Sequence, residues 1–197
     1  MKKLTAALVL SILVVGMLLT SCATNHKVAL SMNKGVVGKN GIPRPDWVIQ
    51  DQSNSKTHYV SGYGSGKTFD IARQKAQLAA DAELAIWISN TVEAVRERYV
   101  EQNTDNYSDR FLDRFVSNAT ESGRAVLSGV VEEDFWEDGE GGVWVLRSLK
   151  VENVRAQIDS AIATTCSDKT LFADDVDVQA VMARLDKVMD EYFQVEE

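Results

Sequence analysis

The fold is decided by the stretch from His58 to Phe69, HYVSGYGSGKTF, which joins an extended segment to a helix through closely spaced glycines. The segment His58–Tyr63 has the composition of a short strand, and a glycine loop is predicted to follow it. The loop glycines are Gly62, Gly64 and Gly66. Thr68 is a favourable N-cap for a helix that begins at Phe69.

The predicted helix after Phe69 has apolar residues at helical spacing. They are Ile71, Ala72, Ala76, Ala79, Ala82, Ala85 and Ile86. A stripe made mostly of alanine lets a helix pack closely across a sheet. Beyond this stripe the period is ambiguous. From Trp87 to Glu101 the alternation predicts a long strand, and continuation of the helix to Tyr99 is the alternative.

The second half of the chain carries further helix and strand signals. The segment Ser108–Ser122 is predicted to be helical, with an apolar face formed by Phe111, Leu112, Phe115 and Val116. The next segment carries the strongest hairpin signal in the chain. Two predicted strands, Ala125–Trp136 and Val143–Lys150, flank a glycine turn at Asp138–Gly142. An amphipathic helix is predicted over Val151–Ala163. The predicted class is α+β: an antiparallel sheet with a long alanine-rich helix packed across it, plus an additional C-terminal helix.

The C-terminal helix is predicted from Val176 to Val195, after a polar break at Thr164–Lys169. Its apolar residues follow three-four spacing, which favours a helix packed on its own domain. The alternative is a helix that pairs with another chain and allows a homo-oligomer. The partner-contact residues would then be Val181, Leu185, Val188 and Tyr192.

The N-terminus has the organisation of a secretory signal. Two lysines precede an apolar run from Leu4 to Leu19, and a short polar pair leads directly to Cys22. A cysteine straight after small residues resembles the lipobox of bacterial lipoproteins. That resemblance implies cleavage before Cys22 and attachment of a diacylglycerol and an acyl chain, such as palmitate, to this residue. The alternative is an uncleaved transmembrane helix, for which the run is short of the roughly 20 apolar residues that a span needs.

The residue after Cys22 bears on sorting. Ala23 stands where an aspartate would signal retention in the inner membrane, so the resemblance favours a lipid anchor in the bacterial outer membrane. Whether the protein faces the periplasm or the cell surface stays open. The predicted organisation is a signal peptide at 1–21, a flexible tether at 22–42, an α/β lipoprotein domain at 43–163 and a helical extension at 164–197.

Charge and cysteine content limit the function classes. Loss of the predicted signal peptide removes two lysines and no acid, so the formal charge moves from −8 to −10. A strongly acidic protein is a poor partner for nucleic acid and for anionic lipid surfaces. With Cys22 carrying lipid, Cys166 has no partner for a disulfide within the chain. A buried thiol is the favoured interpretation, and an intermolecular Cys166 pair is the alternative.

The catalytic motifs that the sequence suggests do not survive inspection. Ser61 stands where a Walker A loop needs glycine, and Lys67 stands where a dinucleotide loop needs glycine. Tyr63 replaces the first glycine of a nucleophile elbow around Ser65. Only two histidines are present, and the acidic hairpin segment lacks the ligand spacing of an EF-hand. No catalytic residue, cofactor or metal ligand is therefore predicted.

Three further features carry a family resemblance. They are the opening Pro45-Asp46-Trp47-Val48, the strand end Val60–Gly64 before the alanine-striped helix, and Leu127–Val131 followed by Phe135-Trp136 and Val143–Leu146. Together they resemble the LPP-twenty lipoprotein family, which is similar to the N-terminal domain of the flagellar outer-membrane-ring protein FlgT. The resemblance covers residues 43–163 and implies a long helix across an antiparallel sheet. It also implies no enzymatic activity and no cofactor, with structural roles for the Pro-Asp-Trp-Val residues and for Gly62 and Gly64.

The expected function is a non-enzymatic protein-interaction or assembly module, held at the membrane by lipid and bound to an envelope protein. The lipid would raise the local concentration of the domain at the membrane. An alternative is a surface-exposed lipoprotein that binds a ligand or contacts a host. A third possibility is an envelope hydrolase that uses a dispersed pair of acids.

Overall fold

The computed structural model describes residues 35–102, 109–172 and 177–194. Its elements, in chain order, are β1 Thr57–Ser65, α1 Phe69–Gln102, α2 Asp109–Val126, β2 Val131–Glu137, β3 Gly142–Lys150, α3 Val151–Ser167 and α4 Val178–Gln194. The strands form one antiparallel sheet in the order β1-β3-β2. The predicted α+β class is confirmed, since the long helix α1 packs across this sheet and α4 is the additional C-terminal helix.

The predicted hairpin is present as β2 and β3, with Trp136 opposite Trp144. Its turn is held by Asp138, whose backbone N–H donates to the Gly142 carbonyl (2.9 Å) and whose Oδ1 accepts from the Gly142 N–H (2.7 Å). The prediction that the first strand begins at Ala125 is wrong. The helix α2 continues to Val126, so the strand begins only at Val131.

The glycines of the deciding stretch do not form the predicted loop. Gly62 and Gly64 lie inside β1 and face α1, so only Gly66 follows the strand. A Cβ atom at Gly62 would lie 2.6 Å from the Ala80 backbone nitrogen, and one at Gly64 would lie 2.5 Å from the Ala76 backbone nitrogen. These glycines therefore let the backbone of the helix lie directly against the strand.

The buried stripe of α1 differs from the predicted one. Buried residues recur every fourth position, first as Ala72, Ala76 and Ala80 against the sheet and then as Leu84 and Ile88. Several residues of the predicted stripe are instead exposed, namely Ile71, Ala82, Ala85 and Ile86. One turn of an α-helix takes 3.6 residues, so residues spaced by four advance gradually around the helix. The buried side of α1 therefore faces the sheet in its first half and the other helices in its second half.

The segment Trp87–Glu101 is helical, so the predicted strand is wrong and the alternative of a continuing helix is confirmed. Val92, Val95 and Tyr99 are buried there. They belong to a large core formed where the second half of α1 meets α2, α3 and α4. The first half of α1 therefore covers the sheet, and the second half packs against the other helices.

The segment 36–50, which contains short 3-10 helices at Lys39–Gly41 and Asp46–Val48, packs on the face of the sheet opposite α1. The Trp136 Nε1–H donates to the Ile42 carbonyl (3.1 Å), and Lys39 Nζ lies 2.6 Å from Glu137 Oε1. The described part of the predicted flexible tether, residues 35–42, is therefore docked on β2. The ordered domain begins before the predicted boundary at residue 43.

The C-terminal helix α4 packs on its own domain, which confirms the favoured interpretation of its apolar stripe. Val181, Leu185 and Val188 are buried within this one chain, so the prediction of these residues as partner contacts needs correction. Tyr192 is half-buried, with the Arg98 guanidinium 5.4 Å from its ring centroid. The predicted boundary at residue 164 also fails, because it falls inside α3.

Cys166 lies in the core at the end of α3. Burial raises the pKa of its thiol to about 11, and the nearby Asp186 contributes in the same direction. We therefore expect Cys166, in a Cys22→Ser chain, to be almost unreactive toward a disulfide reagent at about pH 8, because the thiolate is the reactive form. Denaturant should restore rapid reaction, measured by absorbance. A fast reaction in the folded chain would contradict the burial.

Candidate interaction surface at the open edge of the sheet

The strand order leaves β1 at one edge of the sheet. In an antiparallel pair, alternate residues direct their backbone N–H and C=O groups away from the partner strand. Tyr59 is one such residue in β1: its N–H donates to Ser53 Oγ (2.9 Å), and its carbonyl accepts from the same hydroxyl (3.3 Å). Lys75 Nζ donates to the outward carbonyl of Ser65 (3.0 Å).

Between these two anchors lie Ser61 and Tyr63, whose backbone groups point outward by the same alternation. Within the described ranges, those outward groups have no hydrogen-bond partner. Among the residues that the structure describes, none pairs with the short piece of strand edge centred on Gly62, which we call the open stretch.

A cleft of about 380 Å³ lies beside this open edge. One wall is the β1 segment from Tyr59 to Ser61, and the opposite wall is the loop from Trp47 to Gln52. Glu83 of α1 and Asp51 of the loop place two acids on its lining. An extended segment that paired with β1 would thus enter a cleft with polar and acidic walls.

The opposite edge of the sheet is better protected. Strand β2 carries four acids in seven residues and has an irregular register between Glu132 and Asp134. Glu132 is also bound by α1, since Arg73 Nη2 lies 2.5 Å and Gln77 Nε2 lies 2.6 Å from its carboxylate oxygens. Charges and bulges are the usual means by which edge strands avoid pairing. The contrast singles out β1 as the available edge.

A second cleft, of about 450 Å³, adjoins the first and contains a cluster around His58. The His58 ring stacks on Trp87 with 4.0 Å between ring centroids and an angle of 11°. Ser53 Oγ lies 3.1 Å from His58 Nδ1, and Asp51 Oδ1 accepts from the Ser53 backbone N–H (2.8 Å). Sequence reasoning missed this cluster, because nothing local indicates that Trp87 meets His58.

The residue types of this cluster are those of a catalytic triad, but their order in space is different. A triad needs the histidine between the serine and the acid. Here Asp51 instead binds the backbone of Ser53, whose hydroxyl already contacts both backbone groups of Tyr59. These hydrogen bonds hold the loop against β1 at Tyr59, and we call them the Ser53 clamp. The clamp marks one end of the open stretch.

His58 makes the stability of the folded protein depend on pH. Burial lowers the pKa of His58 below its ordinary value of 6.5, and the Asp51 carboxylate offsets part of that effect. Because the unfolded chain then binds the proton more readily, the free energy of unfolding should fall as the pH drops below about 6.5. We expect His58→Phe, which keeps an aromatic ring over Trp87, to reduce this slope. Urea unfolding between about pH 7 and pH 5.5 measures it; equal slopes in both proteins would contradict the assignment.

The Pro-Asp-Trp-Val residues lie where the chain enters the sheet. Asp46–Val48 form a turn after Pro45 that contacts β3, and Val48 is buried. The Trp47 Nε1–H donates to Asp134 Oδ2 of β2 (2.9 Å). These residues bring the loop across the sheet and form part of the cleft wall. Cys22, the predicted lipid-attachment residue, lies outside the described residues.

Among the described carboxyl groups, Asp159 has a raised pKa. Burial is the main cause, Arg155 acts in the opposite direction, and Asp186 and Asp190 add to the increase. Arg155 also donates to Asp190, so these residues form a charged cluster between α3 and α4. Within the described ranges, no group of three or more His, Cys, Asp or Glu side chains is arranged to hold a metal ion.

No protein-family model, curated protein or solved structure matches this chain. Over the part of the chain that the structure describes, no helix is both long and apolar enough to cross a membrane.

Proposed function

We propose that this chain is a lipid-anchored protein of the bacterial envelope that binds another protein by pairing a strand of that partner with β1. The anchor is proposed from the N-terminal sequence that ends at Cys22. The observation that carries the binding function is the open stretch of edge at Ser61 and Tyr63 beside the cleft of about 380 Å³. The proposed role is non-enzymatic.

Strand addition suits this surface for a physical reason. Backbone hydrogen bonds to the edge supply affinity, while the pockets beside it select side chains. The Ser53 clamp and Lys75 limit the open stretch to about three residues, or roughly 10 Å at about 3.3 Å per residue. Asp51 and Glu83 on the cleft lining favour a partner segment that carries hydrogen-bond donors or a positive charge.

So short a contact is expected to be weak in solution. A shared membrane surface would compensate, because an anchored domain meets an envelope partner at a high effective concentration. The proposed function therefore needs both the anchor at Cys22 and the open edge of β1.

Crosslinking in intact cells tests this function. The tagged full-length protein would be compared with Ser61→Pro, which removes the outward N–H, and with the matched control Ser61→Ala, which keeps it. Proline is tolerated on an edge strand where the N–H faces solvent, and a thermal melt of each variant checks the fold. We expect one abundant envelope partner whose capture falls at least about tenfold in Ser61→Pro and is retained in Ser61→Ala.

A third variant, Cys22→Ala, separates the anchor from the edge. It should weaken capture in cells because the effective concentration falls, while leaving the edge intact. Equal capture by the wild-type and Ser61→Pro chains would overturn strand pairing. No partner in any form, together with cleavage of the protein by protease added to intact cells, would favour the surface-exposed alternative.

A further inference from the structure

The open stretch of β1 has an acidic end and an aromatic end. The cleft of about 380 Å³ lies at the Ser61 end, with Asp51 and Glu83 on its lining. At the other end the Tyr63 side chain is 44% exposed, and its ring centroid lies 5.0 Å from that of Trp144. A partner strand that pairs with β1, which is the proposed function on which this inference rests, would therefore meet negative charge at one end and an aromatic ring at the other.

The two carboxylates of the acidic end are available to a cation. Among the residues that the structure describes, neither Asp51 nor Glu83 lies within ion-pair distance of a lysine or arginine. Hydrogen bonding by Ser53 lowers the pKa of Asp51 below its ordinary value, against the opposite effect of burial, so this carboxylate is charged at neutral pH. Other acids around the sheet do have cations, namely Asp81 with Arg147, Glu132 with Arg73 and Glu137 with Lys39.

The aromatic end is the last member of a row that crosses the sheet. Strand register sets Trp136, Trp144 and Tyr63 side by side on the face opposite α1. Trp136 is buried, and its indole N–H donates to the segment 36–50. A Cβ atom at Gly142 would lie 2.6 Å from Tyr63 Cε2, so the Tyr63 ring lies over that glycine and is supported from below. The row is therefore covered at β2 and exposed at the edge where β1 is open.

The helix side of the open stretch presents a small residue. Lys75, Ala79 and Glu83 are four positions apart, so they lie in one line along α1. Lys75 reaches the Ser65 carbonyl at one end, and Glu83 lines the cleft at the other. Ala79 consequently lies between them, on the same level as Gly62. A partner residue that faces α1 would meet this alanine, which leaves room for the strand to approach.

We propose that the partner strand carries a lysine or arginine beside Ser61 and a large apolar residue beside Tyr63. Ser61 and Tyr63 are two positions apart and face the same way, so their neighbours on a paired strand are also two apart. The long stem of a lysine or arginine lets its charge reach Asp51 and Glu83. The apolar side chain covers the exposed part of the Tyr63 ring. The partner is thus a basic extended segment, in which a cation and a large apolar residue are separated by one position.

A titration followed by nuclear magnetic resonance tests this pattern on the full-length chain in a non-ionic detergent. The probe is the capped peptide Thr-Lys-Thr-Phe-Thr-Lys-Thr, which offers the pattern in either strand direction. We expect it to shift the backbone amide signals of Ser61, Gly62 and Tyr63. Replacing both lysines of the peptide by glutamate should weaken binding at least about tenfold, and replacing its phenylalanine by serine about threefold. Equal binding of the lysine and glutamate peptides would overturn the proposal.

Variants of the chain show which residues bind the peptide. Glu83→Gln should weaken binding about threefold at low salt, whereas the matched control Glu97→Gln, at an exposed acid farther along α1, should leave it unchanged. Tyr63→Thr should also weaken binding about threefold, and Tyr63→Phe, which keeps the ring, should not. A thermal melt of each variant checks the fold. Equal effects of Glu83→Gln and Glu97→Gln would mean that the peptide responds only to the net charge of the chain, which would overturn the proposal.

The crosslinking experiment in intact cells distinguishes a wrong pattern from a wrong binding mode. We expect capture of the envelope partner to fall in Ser61→Pro, Glu83→Lys and Tyr63→Thr and to persist in the control Glu97→Lys. A fall in Ser61→Pro alone would overturn the pattern of cation and apolar residue and leave strand pairing in place. Falls in Glu83→Lys and Tyr63→Thr with full capture by Ser61→Pro would overturn strand pairing, and the pattern with it.

Discussion

Replacing Gly62 by valine should destabilise the fold by about 3–5 kcal/mol, because the new side chain would enter the backbone of α1. A Cβ atom at this position would overlap the Ala76 carbonyl oxygen and lie 2.6 Å from the Ala80 nitrogen. Both are backbone atoms in the middle of a helix, so they cannot rotate away as a side chain would. The helix would have to lift from the sheet, exposing the small core around Val143 and Val145.

Urea unfolding measures this loss, and the hairpin offers a matched control. Gly139→Ala adds a Cβ whose nearest neighbour is the Val37 carbonyl oxygen at 3.7 Å, an ordinary contact, and the position needs no left-handed backbone. Its effect should stay within about 0.5 kcal/mol. An unchanged urea midpoint for Gly62→Val would show that α1 does not lie against β1.

Leu185→Ala is expected to cost about 2–5 kcal/mol of unfolding free energy, as for other large-to-small changes in a core. Leu185 is 0% exposed and lies in the large core, where α4 packs against α1 and α3. The loss combines the transfer of a buried side chain with the cavity that remains. It should also show that α4 belongs to the same cooperative unit as the sheet.

Arg184→Ala is the control for this prediction, since Arg184 is an exposed neighbour on the same helix. Its effect should again be within about 0.5 kcal/mol. The measurement is urea unfolding at two protein concentrations. The alternative is that Leu185 stabilises α4 by contacting another chain. The loss of unfolding free energy in Leu185→Ala would then depend on protein concentration. At low concentration, where the chain is monomeric, the wild-type and Leu185→Ala proteins would unfold at the same urea midpoint.

How far the sequence predicts this fold depends on whether the deciding signals are local. The hairpin turn was predictable because Asp138 and the glycines act within five residues. The start of α1 was predictable for a similar reason, since Thr68 Oγ1 accepts from the Ile71 N–H (3.4 Å). The prediction of a strand over Trp87–Glu101 was wrong. Val92, Val95 and Tyr99 are buried against three other helices, and that burial determines their helical conformation more than the local alternation of residues does.

The candidate surface was less predictable than the fold. The Pro-Asp-Trp-Val residues stand out in the sequence, yet their contact with β2 depends on Asp134, far along the chain. The clamp on Tyr59 and the stack of His58 on Trp87 give no local signal, because each needs the loop, the strand and α1 together. An open strand edge is likewise a property of strand order.

The sequence by itself determined the class of the fold, the hairpin, the alanine-rich helix and the expectation of a lipid anchor at Cys22. Each of these rests on residues close together in the chain, through turn chemistry, helical spacing or a short targeting motif. Only the tertiary structure decided which side of α1 is buried, that Gly62 and Gly64 lie under that helix, and that α4 completes the core. Those outcomes depend on which distant surfaces exclude water from one another, and periodicity within a single segment does not contain that information.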